Sequence, residues 1–181
     1  AQLRRRNRSH TFGCYSLSQI IFNGNKTTMS SDNSNPRVPS PEHPFYHKLP
    51  VQLRFNDIDM LGHVNNNAYF SYMDLGKASY FNAVMPDENF DMRKIGVVIA
   101  NVNCDFIAES YMHEPLEVMT RTADIGDRSL RMEQRVVNPK TGQVKCISRT
   151  VMVSFDPKTR QSAPISEKWR SALSAFEQRE L

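Results

Sequence analysis

The chain has 181 residues, with 39% hydrophobic side chains, 23% charged side chains and a net charge of +4. This length suits one domain with a core rather than two, and the composition predicts a soluble globule rather than a disordered chain. No run approaches the roughly 20 apolar residues of a membrane-spanning helix, which argues against a membrane protein.

The positive charge comes from residues 1–28, which contain five basic side chains and no acidic one. The other 153 residues hold 18 basic and 19 acidic side chains, a net charge of −1. A nucleic-acid-binding surface needs basic residues gathered on the folded part. We therefore expect no nucleic-acid partner.

Residues 1–44 predict a disordered or non-native N-terminal extension, because they are first Arg-rich and then rich in proline and polar residues. The start permits a signal peptide, an organellar transit peptide or a translated upstream leader. We favour the leader, because the first methionine is Met29. Cys14, Cys104 and Cys146 lack metal-binding or disulfide spacing, so we expect reduced thiols and a cytoplasmic protein, with organellar targeting by residues 1–28 as the alternative.

The domain is expected to span residues 45–181. A first strand is predicted from His47 to Phe55, with alternating apolar residues on one face. Asn65 or Asn66 is expected to cap a long helix that ends before Pro86. Its buried stripe consists of Tyr69, Met73, Gly76, Tyr80 and Val84.

Four more strands and a short helix complete the pattern. The strands are predicted over residues 95–106, 116–124, 129–137 and 143–155, and Ser166 is expected to cap the helix. This order predicts an α+β fold, in which one long helix covers a face of a five-stranded antiparallel sheet. Because one helix leaves the other face and the edges open, we expect an oligomer.

The densest polar cluster lies between the first strand and the long helix, over residues 54–66. The N-terminus of that helix offers unpaired N–H groups and a partial positive charge, which can stabilise an oxyanion near Asn65 and Asn66. Asp59 is a candidate general base on water or a direct nucleophile. One substrate that such a site could cleave is a thioester. Its leaving group is a thiolate, whose thiol has a pKa of about 8.5, so its cleavage needs no strong general acid.

The motif Asp57-x-Asp59-x-x-Gly62-His63-Val64-Asn65-Asn66-x-x-Tyr69, with Arg54 before it, resembles the signature of hotdog-fold acyl-CoA thioesterases of the 4-hydroxybenzoyl-CoA thioesterase-like family. The similarity extends from Leu49 to about Arg170. It implies a hotdog fold, in which the sheet wraps around the central helix. It also implies an acyl-CoA or acyl-carrier-protein substrate, no cofactor, and a homodimer or homotetramer joined through sheet edges with active sites at the interface.

The resemblance also implies roles for individual residues. It makes Asp59 the catalytic carboxylate and places His63 as the residue that orients the loop or the substrate carbonyl. It assigns the backbone oxyanion contact to Asn66. The candidate substrate-binding residues are Gly62, Val64, Asn65, Tyr69, Arg128 and Arg131. Asp57 is interpreted as structural, either paired with Arg54 or bonded to loop amides, and no metal site is predicted.

Two alternatives remain open. A hotdog enoyl-thioester hydratase or dehydratase would use His63 as a base at a substrate carbon. A non-catalytic acyl-CoA-binding module would need an effector domain, which residues 1–44 do not resemble. The chain also departs from the family: residues 111–116 replace a frequent Gly-Asp pair, and some relatives have histidine in place of Asn66.

Overall fold

The computed structural model describes residues 35–86 and 96–181. The predictions for residues 1–34, and for Ile95 at the start of the second strand, lie outside the described residues. Residues 35–46 have no regular secondary structure, yet Val38 and Phe45 are buried. The Phe45 ring packs against the guanidinium groups of Arg121 and Arg135 on the outer face of the sheet. The domain boundary before residue 45 stays a prediction.

The described residues form one antiparallel sheet and two α-helices. The strands are β1 (His47–Val51), β2 (Val97–Phe106), β3 (Leu116–Ile125), β4 (Ser129–Val137) and β5 (Val144–Ser154), and the helices are α1 (Asn66–Val84) and α2 (Glu167–Phe176). The strand order across the sheet is β1-β3-β4-β5-β2, and every neighbouring pair is antiparallel. The predicted α+β fold is confirmed, as is the short C-terminal helix. None of the described helices is long and apolar enough to cross a membrane.

Helix α1 begins where the sequence predicts, because the Asn65 side chain accepts a hydrogen bond from the Asn67 N–H at 2.8 Å. Four of its aromatic side chains are buried, Tyr69, Tyr72, Tyr80 and Phe81, whereas Phe70 is 40% exposed. Gly76 lies at the closest approach, where an added Cβ would be 2.7 Å from Val118 Cγ1 and 2.9 Å from Gln134 Nε2. The missing side chain therefore sets how closely α1 packs on β3 and β4.

The core has two clusters along α1. The first surrounds its N-terminal half and contains Val64, Tyr69, Met73, Leu116 and Cys146. The second surrounds its C-terminal half and includes Tyr80, Phe81, Ile125, Leu130 and Leu173 of α2. The two halves of the helix thus pack in separate clusters, and only the first cluster adjoins the polar loop.

Residues after α2 are tied to β3 at a bulge between Thr122 and Asp124. The buried Glu177 carboxylate accepts from the Thr122 N–H at 2.7 Å and from the Tyr80 hydroxyl at 2.6 Å. Arg179 donates to the carbonyls of Thr122 and Ala123. These bonds satisfy backbone groups at the irregular point of the strand.

The first strand is shorter than predicted, because β1 ends at Val51. The Arg54 N–H donates to the Asp57 carboxylate at 2.8 Å, and residues Phe55–Asp57 form a 3₁₀ turn. This turn points Phe55 outward, with 85% of its surface exposed. The expectation that Phe55 continues the first strand, on one face with its other apolar residues, is therefore wrong.

Candidate active site

A buried carboxylate anchors the loop between β1 and α1. Asp57 accepts hydrogen bonds from the Arg54 side chain at 2.9 Å and from the Tyr72 hydroxyl at 2.7 Å, and its carbonyl accepts from the Asn65 N–H at 2.8 Å. Burial raises the pKa of Asp57, but the hydrogen bonds from Arg54 and Tyr72 outweigh it and hold the pKa below its usual value. The predicted pairing with Arg54 is confirmed, and Asp57 joins the strand end to the helix start.

Asp59 lies in a tight turn of the same loop. Its N–H donates to the His63 carbonyl at 2.9 Å, and its Oδ1 accepts from the Leu61 N–H at 2.8 Å. Gly62 completes the turn with a φ of +80°, a conformation that favours glycine. Within the described chain no group donates to the second carboxylate oxygen, Oδ2. That oxygen is available to a substrate or a water molecule.

The N-terminus of α1 supplies a hydrogen-bond donor beside Asp59. The Asn65 side chain satisfies the Asn67 N–H, and the Ala68 N–H donates to the Asn65 carbonyl at 2.9 Å. The Asn66 N–H has no acceptor among residues 35–86 and 96–181. Such a first-turn N–H, aligned with the helix dipole, is suited to hold a developing oxyanion.

These groups meet at a cavity of about 690 Å³. Six predicted site residues line it: Asp59, His63, Val64, Asn65, Asn66 and Tyr69. Gly62 shapes the turn beside the cavity without lining it. The structure therefore brings together the carboxylate, the helix N-terminus and the histidine that the sequence places in one motif.

Arg128 and Arg131 lie elsewhere in the chain. Arg128 donates to the Ser162 carbonyl at 3.0 Å, and Arg131 forms an ion pair with Asp124. Both are exposed, and they flank Leu130, which belongs to the core cluster at the far half of α1. Within one chain they do not reach the cavity, and their part in substrate binding stays a prediction.

Residues 106–109 form the opposite wall of the cavity, and no motif in the sequence indicates them. The next residue, Ser110, is fully buried and holds this wall to α1. Its hydroxyl accepts from the Tyr69 hydroxyl at 2.9 Å, and its carbonyl accepts from the Val64 N–H at 2.8 Å. The His63 ring packs edge-on against Tyr111, with centroids 5.1 Å apart. The only sequence signal is a polar segment after the predicted second strand, which does not reveal a contact across 41 residues.

Comparisons with known proteins identify the family. The model of the Thioesterase-like superfamily matches residues 53–173. The uncharacterized protein YsmA of Bacillus subtilis (strain 168) is 33% identical over 130 residues, which are 71% of this chain and 84% of that protein.

Solved structures share the fold. A thioesterase from Thermus thermophilus, complexed with coenzyme A and zinc, is 32% identical with a TM-score of 0.66, over 74% of this chain and 96% of that chain. A predicted thioesterase from Bacillus stearothermophilus is 23% identical and shares the fold, with a TM-score of 0.65 over 73% of this chain and 96% of that chain. With the family match spanning most of the domain and the motif around Asp59 at its cavity, this chain belongs to the Thioesterase-like superfamily and is a hotdog-fold thioesterase.

Proposed function

We propose that the protein hydrolyses the thioester of an acyl-CoA, and that Asp59 and the N-terminus of α1 carry the reaction. The observation that carries this proposal is a cavity lined by the Asp59 carboxylate and by Asn66, the first residue of the helix. The coenzyme A in the Thermus thermophilus relative supports CoA, rather than a carrier protein, as the thiol part of the substrate. The products are a free acid and coenzyme A.

In the proposed mechanism the thioester carbonyl oxygen accepts a hydrogen bond from the Asn66 N–H. Asp59 Oδ2 removes a proton from water while the water oxygen attacks the carbonyl carbon. Alternatively, Oδ2 attacks that carbon and water hydrolyses the resulting anhydride. In both routes the C–S bond breaks and the thiolate takes a proton. One such oxyanion donor contributes about 10²–10³ in rate.

His63 is proposed as a positioning residue. Its backbone carbonyl accepts from the Asp59 N–H, and its own N–H lies 3.4 Å from Asp59 Oδ1. The imidazole packs against Tyr111. A hydratase would instead need that imidazole to act as a base at the substrate carbon. The effect of replacing His63 therefore distinguishes a hydratase from a thioesterase.

Zinc, present in the Thermus thermophilus structure, does not fit this site. Residues 35–86 and 96–181 contain no group of three or more His, Cys, Asp and Glu side chains that could hold a metal ion. The proposed reaction therefore uses only side chains, backbone and water.

We propose that chains associate through the free edge of β2, as a homodimer or homotetramer. This strand pairs only with β5 in the described chain and exposes the apolar side chains of Val98 and Ile99. Its last residue, Phe106, lines the cavity. Association at this edge would place a second chain beside the active site, which is how Arg128 and Arg131 would contact coenzyme A. We also propose a cytoplasmic location, because the cysteines lack the spacing of disulfide or metal-binding residues.

The test measures thiol release from a panel of acyl-CoAs by the wild type, Asp59→Asn and the control Asp127→Asn. Asp127 is an exposed acid outside the cavity. We expect thiol release by the wild type and the control, and a loss of about 10²–10⁴ in kcat for Asp59→Asn. Binding of coenzyme A without thiol release would indicate a binding module. Hydration of an enoyl-CoA without thiol release, abolished by His63→Ala, would indicate a hydratase. Equal release by all three proteins would exclude Asp59.

A further inference from the structure

Two carboxylates line the active-site cavity, and the proposed reaction uses only one of them. Asp59 lies beside the N-terminus of α1, and Glu109 lies on the opposite wall. The other lining side chains are apolar, aromatic, amide or imidazole groups, and within the described chain no lysine or arginine lines the cavity. The cavity of a single chain is therefore bounded by negative charge on two sides.

The cations next to these walls do not cancel that charge. Lys145 is buried, forms an ion pair with Glu114 at 2.9 Å and donates to the backbone carbonyl of Glu109 at 2.7 Å. Arg54 is paired with the buried carboxylate that anchors the loop. Arg37 donates to a carbonyl of β2 at 3.0 Å, but its side chain is exposed, so solvent screens it. None of these three cations lines the cavity.

The Glu109 carboxylate is held at the wall by a single side-chain contact. The Tyr111 hydroxyl donates to its Oε2 at 3.3 Å, and the Tyr111 ring packs against the His63 imidazole. Within the described residues no group donates to the other oxygen, Oε1, and no cation is paired with this side chain. An exposed glutamate of this kind carries a full negative charge at neutral pH.

The cavity is small enough for this charge to act on an acyl group anywhere inside it. A sphere of 690 Å³ is about 11 Å across, close to the distance over which charges interact at physiological salt. For like charges about 8 Å apart, repulsion weakens binding about 2-fold at the dielectric constant of water and about 30-fold at an effective value of 20. An acyl group that ends in a carboxylate meets this repulsion from Glu109 as well as from Asp59.

We propose that Glu109 is a specificity-determining residue, which restricts the enzyme to acyl-CoAs with an uncharged acyl group and excludes those whose acyl group ends in a carboxylate. Glu109 takes no part in breaking the C–S bond. This inference rests on the proposed function and adds the class of acyl group to it.

The test compares two acyl-CoAs with the same acyl skeleton, chosen as the one that the wild type hydrolyses fastest in the thiol-release panel. One ends in a carboxylate and the other in the primary amide of the same size, and both are assayed at pH 8, where an ordinary imidazole is neutral. Because both carry the same coenzyme A, the ratio of their kcat/KM values depends on the acyl group alone. We expect the wild type to prefer the amide by at least about 5-fold, and Glu109→Gln to lower this preference by a factor between about 2 and 30.

Glu167→Gln is the matched control, because it is the same substitution at an exposed glutamate of α2 outside the cavity. It should keep the wild-type ratio, whereas high salt should lower the wild-type ratio towards that of Glu109→Gln, because salt screens exposed charges. Glutamine keeps the size of the side chain and can still accept from Tyr111, and thermal unfolding verifies the fold of each variant.

Two outcomes would overturn the inference and leave the proposed function intact. They are equal kcat/KM values for the two acyl-CoAs with the wild type, and an unchanged ratio in folded Glu109→Gln. No thiol release from any acyl-CoA of the panel would instead overturn the proposed function, and the inference with it.

Discussion

Replacing Gly76 by alanine should destabilise the protein, although alanine is the better helix former. The new Cβ would lie 2.7 Å from Val118 Cγ1, 2.9 Å from Gln134 Nε2 and 3.1 Å from Thr120 Oγ1. Val118 is fully buried and paired on both sides, with Leu49 and Val136. It therefore has little room to move.

The size of the effect follows from two opposed terms. Alanine in place of glycine favours a helix by about 1 kcal/mol. Overpacking of a core costs about 1–3 kcal/mol. The upper half of that range applies, because Gln134 Nε2 also donates to the Met73 carbonyl at 2.9 Å and any shift disturbs that bond. We expect a net loss of about 1–2 kcal/mol, or roughly 2–8 °C in the thermal midpoint.

Urea and thermal unfolding measure this loss. Ser71→Ala, at an exposed position of α1, is the control for helix propensity alone and should be neutral or slightly stabilising. In a Val118→Ala background, which lacks the clashing methyl group, Gly76→Ala should cost less than in the wild type. A Gly76→Ala protein at least as stable as the wild type, with Ser71→Ala behaving as expected, would refute the close-packing argument.

Two further predictions concern the anchored carboxylate of Asp57. Tyr72→Phe removes the hydroxyl that donates to the Asp57 carboxylate at 2.7 Å. Because a buried acceptor then lacks a partner, we expect the free energy of unfolding in urea to fall by about 1–3 kcal/mol. An unchanged free energy of unfolding would show that this hydrogen bond contributes nothing. Because the pKa of Asp57 is lowered on folding, its contribution to stability is present above the unfolded value of 3.8 and is lost as pH falls through the folded value. The stability difference between the wild type and Asp57→Asn should therefore shrink as the pH falls below about 5. A constant difference would contradict this assignment.

The helix and its cap could be predicted because their signals are local. The stripe from Tyr69 to Tyr80 repeats at helical spacing, and Asn65 precedes it as a capping residue. The motif that contains Asp59 is equally local, since the turn, the carboxylate and the helix start lie within eight residues. Local chemistry was thus sufficient for one wall of the cavity.

The remaining features depend on contacts between distant residues. Phe55 continues the alternation of β1, but the buried Asp57 takes the Arg54 N–H and turns the chain away. Ser110 reaches Tyr69 only because β2 pairs with β5 at the far edge of the sheet. The spacing of these residues along the sequence predicts neither contact. The prediction that Arg128 and Arg131 bind substrate rests on residue type alone, which carries no information on distance.

The bulge in β3 is stabilised by residues that the ribosome synthesises much later than the strand itself. The polar backbone groups of Thr122 and Ala123 find their partners on Glu177 and Arg179, 55 to 57 residues further along the chain. Strands β1, β3 and β4 can pair on the ribosome before that segment has emerged. Until residue 179 leaves the exit tunnel, a nascent chain that has paired these strands would leave the polar backbone groups of the β3 bulge hydrated.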